Sequence, residues 1–254
     1  MNYVISDIHG CAREFHRLLK LIKFNENDTL YILGDVIDRG EKGISLLLEL
    51  SNMKNVIPIL GNHEYMAKPI LRIAHEVLND FEKESGLNTY FNEKMFVVLR
   101  ALRHSDYKHE FKIWVDNGGI NTLVEFVKLS SSQQGEVLDY LYKFELYAEL
   151  TVNGKIYMML HAGIPRTELI VNKSIDDYDE RDLLWNRDGI LAPYFIGKTV
   201  IVGHTPTPSI ELYNEGSIIK TEDTIDIDCG CVYGYRLAAY CLETEEEFYV
   251  DFKG

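Results

Sequence analysis

The chain has no apolar run approaching about 18 residues, so no helical membrane span is expected. Cysteine is scarce. Cys11, Cys229, Cys231 and Cys241 are the only ones, none forms a CxxC pair, and a chain of 254 residues needs no disulfide staples. They read as reduced and structural. The start, MNYVISDIHG, lacks a basic region followed by a long apolar segment, so no signal peptide is expected and the cytoplasm is the default compartment. Positive charge is short as well. The 26 Lys+Arg face 40 Asp+Glu, for a net charge of −14. A binder of nucleic-acid polymers or of anionic membrane needs a basic surface, so neither is expected as a partner. An acidic protein that handles phosphate must focus positive charge locally, with metal ions or a few arginines. Internal repeats and low-complexity segments are absent too.

What is present is ordinary globular material: 46% hydrophobic and 26% charged residues. The expectation is a single domain over 1–254. Asn2 to Ser6 is short, β-prone and apolar. DIHG follows it, and then Phe15, Leu18, Leu19 and Ile22 recur at one face of a helix. The pattern repeats twice: TLYIL (29–33), GDVIDRG and a helical stretch, then NVIPIL (55–60), GNHE and a further helical stretch. Three strand–loop–helix units imply an α/β fold built on parallel crossovers, whose ligands collect at the carboxyl ends of strands. From about 66 to 150 the pattern is mostly helical and charged, which reads as a helical insertion. Within it, WVDNGGINTL (114–123) carries a Gly-Gly turn. Strand signals return with KIYMML (155–160), followed by HAG, and KTVIV (198–202), followed by GHTP. The C-terminal stretch alternates as antiparallel strands do. The whole predicts an α/β fold with mixed sheets in a layered sandwich.

Five loops therefore stand at strand ends, and together they supply Asp7, His9, Asp35, Asn62, His161 and His204. Oxygen and imidazole ligands of this kind suit Mn²⁺, Fe²⁺ or Zn²⁺, and the lack of cysteine argues against a structural zinc site. Six ligands are too many for one tetrahedral ion with an open position. They suit two ions sharing a carboxylate, roughly 3.5–4 Å apart, which can clamp both oxygens of a phosphoryl displacement. Each loop alone is a weak signal, since a polar turn or a packed histidine is commoner. All five, each after an apolar β-run, are a strong one.

The set resembles the metallophosphoesterases, and within them the phosphoprotein phosphatase family: DIHG (7–10), GDVIDRG (34–40), GNHE (61–64), HAG (161–163) and GHT (203–205) match its pattern in order. GNHE favours this branch over relatives that carry GNHD. The chain looks most like the compact bacterial and phage serine/threonine phosphatases and is also similar to the symmetrical diadenosine tetraphosphatases. Tyr235, where a second glycine is usual, and Ile37, where valine is usual, are minor departures.

The resemblance implies an αββα metallophosphoesterase sandwich and two divalent metal ions, with Mn²⁺ the first choice and Fe or Zn²⁺ the others. Asp7, His9 and Asp35 would hold the first ion. Asp35 would bridge, and Asn62, His161 and His204 would complete the second. His63 would be the general acid, Asp38 would orient it and keep it cationic, and Arg39 would clamp a phosphate oxygen. Arg187 is the best match for a second clamp, with Arg166 the weaker one. Trp185 reads as a packing residue, and Tyr233 and Tyr235 sit near the expected rim of the site. The implied activity is phosphomonoester hydrolysis by a hydroxide bridging two ions, first of all on phosphoserine and phosphothreonine in proteins or peptides. The alternative is a phosphorylated nucleotide, as in symmetrical tetraphosphate cleavage.

Overall fold

The computed structural model describes residues 1–85, 90–165, 174–187, 197–210 and 214–253. Arg166 lies outside the described residues. The chain opens with β1 (Asn2–Ile5), α1 (Ala12–Leu21), β2 (Thr29–Ile32), α2 (Gly43–Ser51) and β3 (Val56–Pro58). Five helices follow: α3 (Asn62–Ser85), α4 (Phe91–His104), α5 (Lys108–Asp116), α6 (Ile120–Lys128) and α7 (Ser131–Leu141). Then come β4 (Tyr147–Val152), β5 (Lys155–Leu160), α8 (Glu180–Trp185), β6 (Lys198–Val202), α9 (Thr207–Ile210), β7 (Ile219–Lys220), β8 (Thr224–Asp226), β9 (Arg236–Cys241) and β10 (Glu247–Asp251).

Two five-stranded sheets form, ordered β10-β9-β1-β2-β3 and β4-β5-β6-β8-β7. In the first, β1, β2 and β3 run parallel. In the second, β5, β6 and β8 do. Successive side chains of a strand face opposite sides, and the core divides accordingly. Val4 and Tyr31 of the first sheet pack with Tyr157, Met159, Ile201 and Ile225 of the second. Tyr3, Ile5, Leu30 and Ile32 turn instead to the helices α1 to α7. Met158, Leu160, Val200 and Val202 pack on the other side with Leu183 of α8. The result is the layered sandwich with mixed sheets expected from the sequence.

Three elements differ from the sequence expectation. The helical stretch begins with Asn62 itself, and β4 begins inside the region read as helical. β4 pairs with β5 through a tight turn at Asn153-Gly154, both in the left-handed region (φ 51° and 80°). An Asn-Gly pair is the strongest short hairpin signal, and here it outweighs the charged, weakly alternating YAELTV. At the C-terminus, β9 and β10 are antiparallel as expected. Thr224–Asp226 instead lies parallel to β6 in the other sheet.

Candidate metal centre

The parallel strands all end at the same edge of the sandwich. The loops after β1, β2 and β3 therefore meet the loops after β5, β6 and β8. The first two are zipped together by backbone hydrogen bonds. The N–H of Asp7 donates to Gly34 O (3.2 Å), that of His9 to Asp35 O (2.8 Å) and that of Gly10 to Val36 O (2.8 Å). The close approach explains Gly40, whose Cβ would lie 2.2 Å from His9 O, and Gly61, whose Cβ would lie 2.3 Å from Asp35 Oδ1.

This zipper holds an unfavourable backbone. Asp7, His9, Asp35, Asp38, Arg39 and His204 all have positive φ, between 46° and 70°. A non-glycine residue there costs on the order of 1–3 kcal/mol, and such residues concentrate at functional sites. Glu64 supplies much of the counterweight. Its buried carboxylate accepts N–H groups from Asp35 (2.8 Å), Val36 (2.8 Å) and Ile37 (3.2 Å). Sequence reasoning passed over Glu64, because a carboxylate early in a helix looks like an ordinary cap.

Two ligand groups converge on Asp35. One is His9, Asp35 and His63; the other is Asp35, His161 and His204. All of these side chains are buried. His9 Nδ1 donates to Ile37 O (2.8 Å) and His161 Nδ1 to Leu33 O (2.7 Å), so each ring turns its Nε2 lone pair toward the centre. His9 Nε2 lies 3.5 Å from Asp35 Oδ2, and His161 Nε2 lies 3.5 Å from Asp35 Oδ1. Asn62 Oδ1 is 2.9 Å from His161 Nε2 and 3.1 Å from His204 Nδ1. Asp7 lies beside this group. Its Oδ2 accepts the His204 N–H (3.0 Å) and the Ser6 hydroxyl, and its Oδ1 is 4.0 Å from His9 Nε2.

These residues fit divalent cations. His161 Nε2, His204 Nδ1, Asn62 Oδ1 and Asp35 Oδ1 are electron-rich atoms crowded together with at most one proton to share. His204 Nε2 is buried with no hydrogen-bond partner among the described residues. Burial, then the charges of Asp7 and Glu64, hold the Asp35 carboxyl well above the usual carboxylate range. Asp228, in the loop after β8, is buried as well and is raised by burial and by Asp7. A cation removes this repulsion, and nitrogen and oxygen donors without sulfur suit Mn²⁺, Fe²⁺ or Zn²⁺. When bound, two such ions polarise phosphoryl oxygens and make water acidic enough to attack at neutral pH.

Asp38 and His63 form a second buried unit. His63 Nδ1 is 2.6 Å from Asp38 Oδ2. The same carboxylate accepts the Trp114 indole N–H (2.7 Å) and the Thr122 hydroxyl (2.6 Å). WVDNGGINTL is thus more than a turn. It also takes the Arg39 N–H on Gly118 O (3.1 Å), and its Asn121 amide donates to Arg39 O (2.8 Å). Burial pushes His63 well below its ordinary pKa, helped by Arg39 and His161. Burial likewise drives Asp38 up to about 7, against the hydrogen bonds from Thr122 and Trp114. Burial therefore works against the imidazolium expected from the sequence, and the short Nδ1–Oδ2 contact ties the titrations of the two groups together. Nδ1 is engaged by Asp38, so Nε2 is the ring nitrogen that faces the centre, 3.8 Å from Asp35 Oδ2.

Arg39 reaches over the same centre. Its guanidinium donates to His9 Nε2 and lies 5.3 Å from the centroid of the Tyr233 ring. Arg187 is exposed, yet close enough to His204 to help depress its pKa, after burial and His161. Tyr233 and Tyr235 are both exposed.

A hydrolytic metal centre at the carboxyl edge of an αββα sandwich defines a class of phosphoesterase. The calcineurin-like phosphoesterase profile matches residues 3–234, and the chain belongs to that family. A symmetrical bis(5'-nucleosyl)-tetraphosphatase from Nitrosococcus oceani is 42% identical over an alignment of 282 positions, covering 99% of this chain and 97% of the relative. Its namesake from Chromobacterium violaceum is 25% identical over 97% of this chain and 93% of its own. Among solved structures, a candidate diadenosine tetraphosphatase superposes with a TM-score of 0.61 at 17% identity, covering 100% of this chain and 94% of that one. A protein serine/threonine phosphatase from Saccharomyces cerevisiae superposes with a TM-score of 0.51 at 14% identity, covering 100% and 79%. At such identities the likeness speaks for the fold alone.

Proposed function

We propose that this metallophosphoesterase splits dinucleoside tetraphosphates symmetrically, so that diadenosine tetraphosphate and water give two molecules of ADP. The observation that carries it is the relative of that name, 42% identical over 99% of this chain. The sequence alone put a protein serine/threonine phosphatase first. That reading rests here on a shared fold at 14% identity, whereas the full-length relatives favour the nucleotide.

In this reading Asp7, His9 and Asp35 hold one ion, and Asp35, Asn62, His161 and His204 hold the other, with Mn²⁺ proposed as the native metal. His63 stands with His9 and Asp35 in the first group of donors, but its hydrogen bond to Asp38 favours a role in proton delivery at the leaving oxygen from Nε2. Asp38 holds the ring at Nδ1 and restores the proton there. Arg39 and Arg187 bind the non-bridging phosphate oxygens, where a planar guanidinium matches the developing charge. They also offset the repulsion that a net charge of −14 presents to a polyanion. The proposed compartment is the cytoplasm. All four cysteines are free and buried, and no described helix is long and apolar enough to cross a membrane.

The test compares Mn²⁺-loaded protein on diadenosine tetraphosphate and on a phosphothreonine peptide, with products separated by anion exchange. The expected result is ADP as the only nucleotide product and a kcat/KM at least about a hundredfold above that for the peptide, a gap of ~2.7 kcal/mol in transition-state binding. ATP and AMP as products, or a preference for the peptide, would overturn the proposal.

A further inference from the structure

We propose that the cleft between α3, α5 and α8 binds a purine nucleoside end of the substrate, stacked against Trp185. This deepens the nucleotide reading above and rests on it. The cleft has a volume of about 570 Å³, and its lining includes Tyr65, Lys68, Tyr107, Glu110, Arg181 and Trp185. That is the size and the mixture of aromatic wall with a few polar groups that small-molecule sites use.

Its position joins it to the metal centre. Tyr65 and Met66 follow Asn62 by three and four residues on α3, so all three share one side of that helix. Only about 4.5 Å of helix rise separates Asn62 from Tyr65. The opposite wall is tied to the HAG loop, because the Ala162 N–H donates to Leu183 O of α8 (3.1 Å). One wall is thus built on the helix that carries Asn62, the other is tied to the loop that carries His161, and Arg187 stands two residues beyond Trp185. Arg187, which acts electrostatically on His204, thereby adjoins both the centre and the segment that carries the wall of the cleft.

The chemistry of the wall selects the ligand. Trp185 is half-buried, packs against the core and meets the Tyr65 ring edge-on, with centroids 5.4 Å apart at 89°. The Arg181 guanidinium lies 5.9 Å from the Trp185 ring. Bases stack on fixed aromatic rings and on guanidinium planes. The carboxylates of Glu110 and Glu180, which also line the cleft, are acceptors for an exocyclic amine or for ribose hydroxyls. Trp185, which the sequence presents as a packing residue, therefore serves as a platform as well.

Calorimetry of AMP and of inorganic phosphate, each binding to Mn²⁺-loaded protein, reads the base contact directly. The same titrations are run on Trp185→Ala and on Arg181→Ala, the latter at an exposed position. Wild-type protein is expected to bind AMP at least about tenfold tighter than phosphate, the scale of one base-stacking contact, and the variants to erase most of that margin. In parallel, the ratio of kcat/KM for diadenosine tetraphosphate to that for 4-nitrophenyl phosphate is expected to fall about tenfold or more in the variants. AMP bound no tighter than phosphate, or a margin that survives in both variants, overturns the cleft assignment. A loss confined to a phosphothreonine peptide would make the cleft a peptide site and overturn it too. Absence of dinucleotide turnover by wild-type protein would instead strike the nucleotide reading, while the AMP titration still judges the cleft.

Discussion

The indole N–H of Trp114 lies 2.7 Å from Asp38 Oδ2, and both residues are fully buried. The oxygen that takes this hydrogen bond is the one that holds His63. A helix remote in sequence thus sets the angle of the proton donor. Trp114→Phe removes the donor and leaves a small cavity, while Thr122→Val removes the hydroxyl that meets both Asp38 Oδ1 and the Asp38 N–H. Each is expected to cost about 1.5–3 kcal/mol of stability, the range for a hydrogen bond to a charged group. Turnover of an alkyl phosphate should fall about tenfold further than that of 4-nitrophenyl phosphate, because an alkoxide needs the proton more. Urea titration and paired kinetics measure the two effects. Equal losses on both substrates would deny Trp114 a part in orienting the acid.

Glu64→Gln tests the loop brace. The carboxylate accepts three backbone N–H groups of the GDVIDRG loop, and an amide has one acceptor oxygen to offer them. An uncovered buried N–H costs about 1–3 kcal/mol, so the melting temperature should drop by roughly 2–12 °C for a chain of this size. Asp35 is carried by that loop, so Mn²⁺ affinity should fall about 10–100-fold, the effect expected of a group that orients a ligand. Calorimetric titration with Mn²⁺ checks this. Unchanged affinity would show that Asp35 holds its place without Glu64.

Arg39 lies between His9 and Tyr233, and the ring gives it a resting place. Tyr233→Ala is expected to raise KM about 2–5-fold, the equivalent of ~0.5–1 kcal/mol for an exposed cation–π contact, while Tyr233→Phe keeps most of it. Arg39→Lys should do worse than either, because an ammonium cannot reproduce the planar fork. A full loss in Tyr233→Phe would assign the work to the hydroxyl rather than to the ring.

The parts legible in the sequence share one property: they are local. Strands β1, β2, β5 and β6 and the motif loops behind them were visible because apolar runs and their polar ends lie side by side in the chain. The candidate ligands Asp7, Asp35, His161 and His204 stand out in the sequence because each occupies the carboxyl end of such a run. Trp114 and Thr122 do not. They meet Asp38 across 76 and 84 residues, and an indole or a hydroxyl on a helix face carries no mark of its distant partner. Glu64 was hidden differently, inside a motif already explained by its neighbours. The direction of the His63 shift also depends on burial, which follows from packing and not from the adjacency of letters.

Removing metal should loosen the centre as well as stop catalysis. Asp7, Asp35 and Asp228 are all buried, and burial, then the charge of Asp7, raises Asp35 and Asp228 above the usual carboxylate range. Cations that bind the folded chain and not the unfolded one stabilise it by about 2.7 kcal/mol at a hundred times their dissociation constant. Treatment with a chelator is therefore expected to lower the melting temperature by roughly 5–10 °C, since 1 kcal/mol corresponds to about 2–4 °C at this size. Adding back Mn²⁺ should restore both the transition and phosphate release, and Asp35→Asn should cancel the metal-dependent shift because it weakens both ligand groups at once. Differential scanning calorimetry with and without Mn²⁺ measures this independently of any substrate. A transition that ignores both chelator and Mn²⁺ would mean that Asp7, His9, Asp35, Asn62, His161 and His204 are a hydrogen-bonded core and not a metal centre.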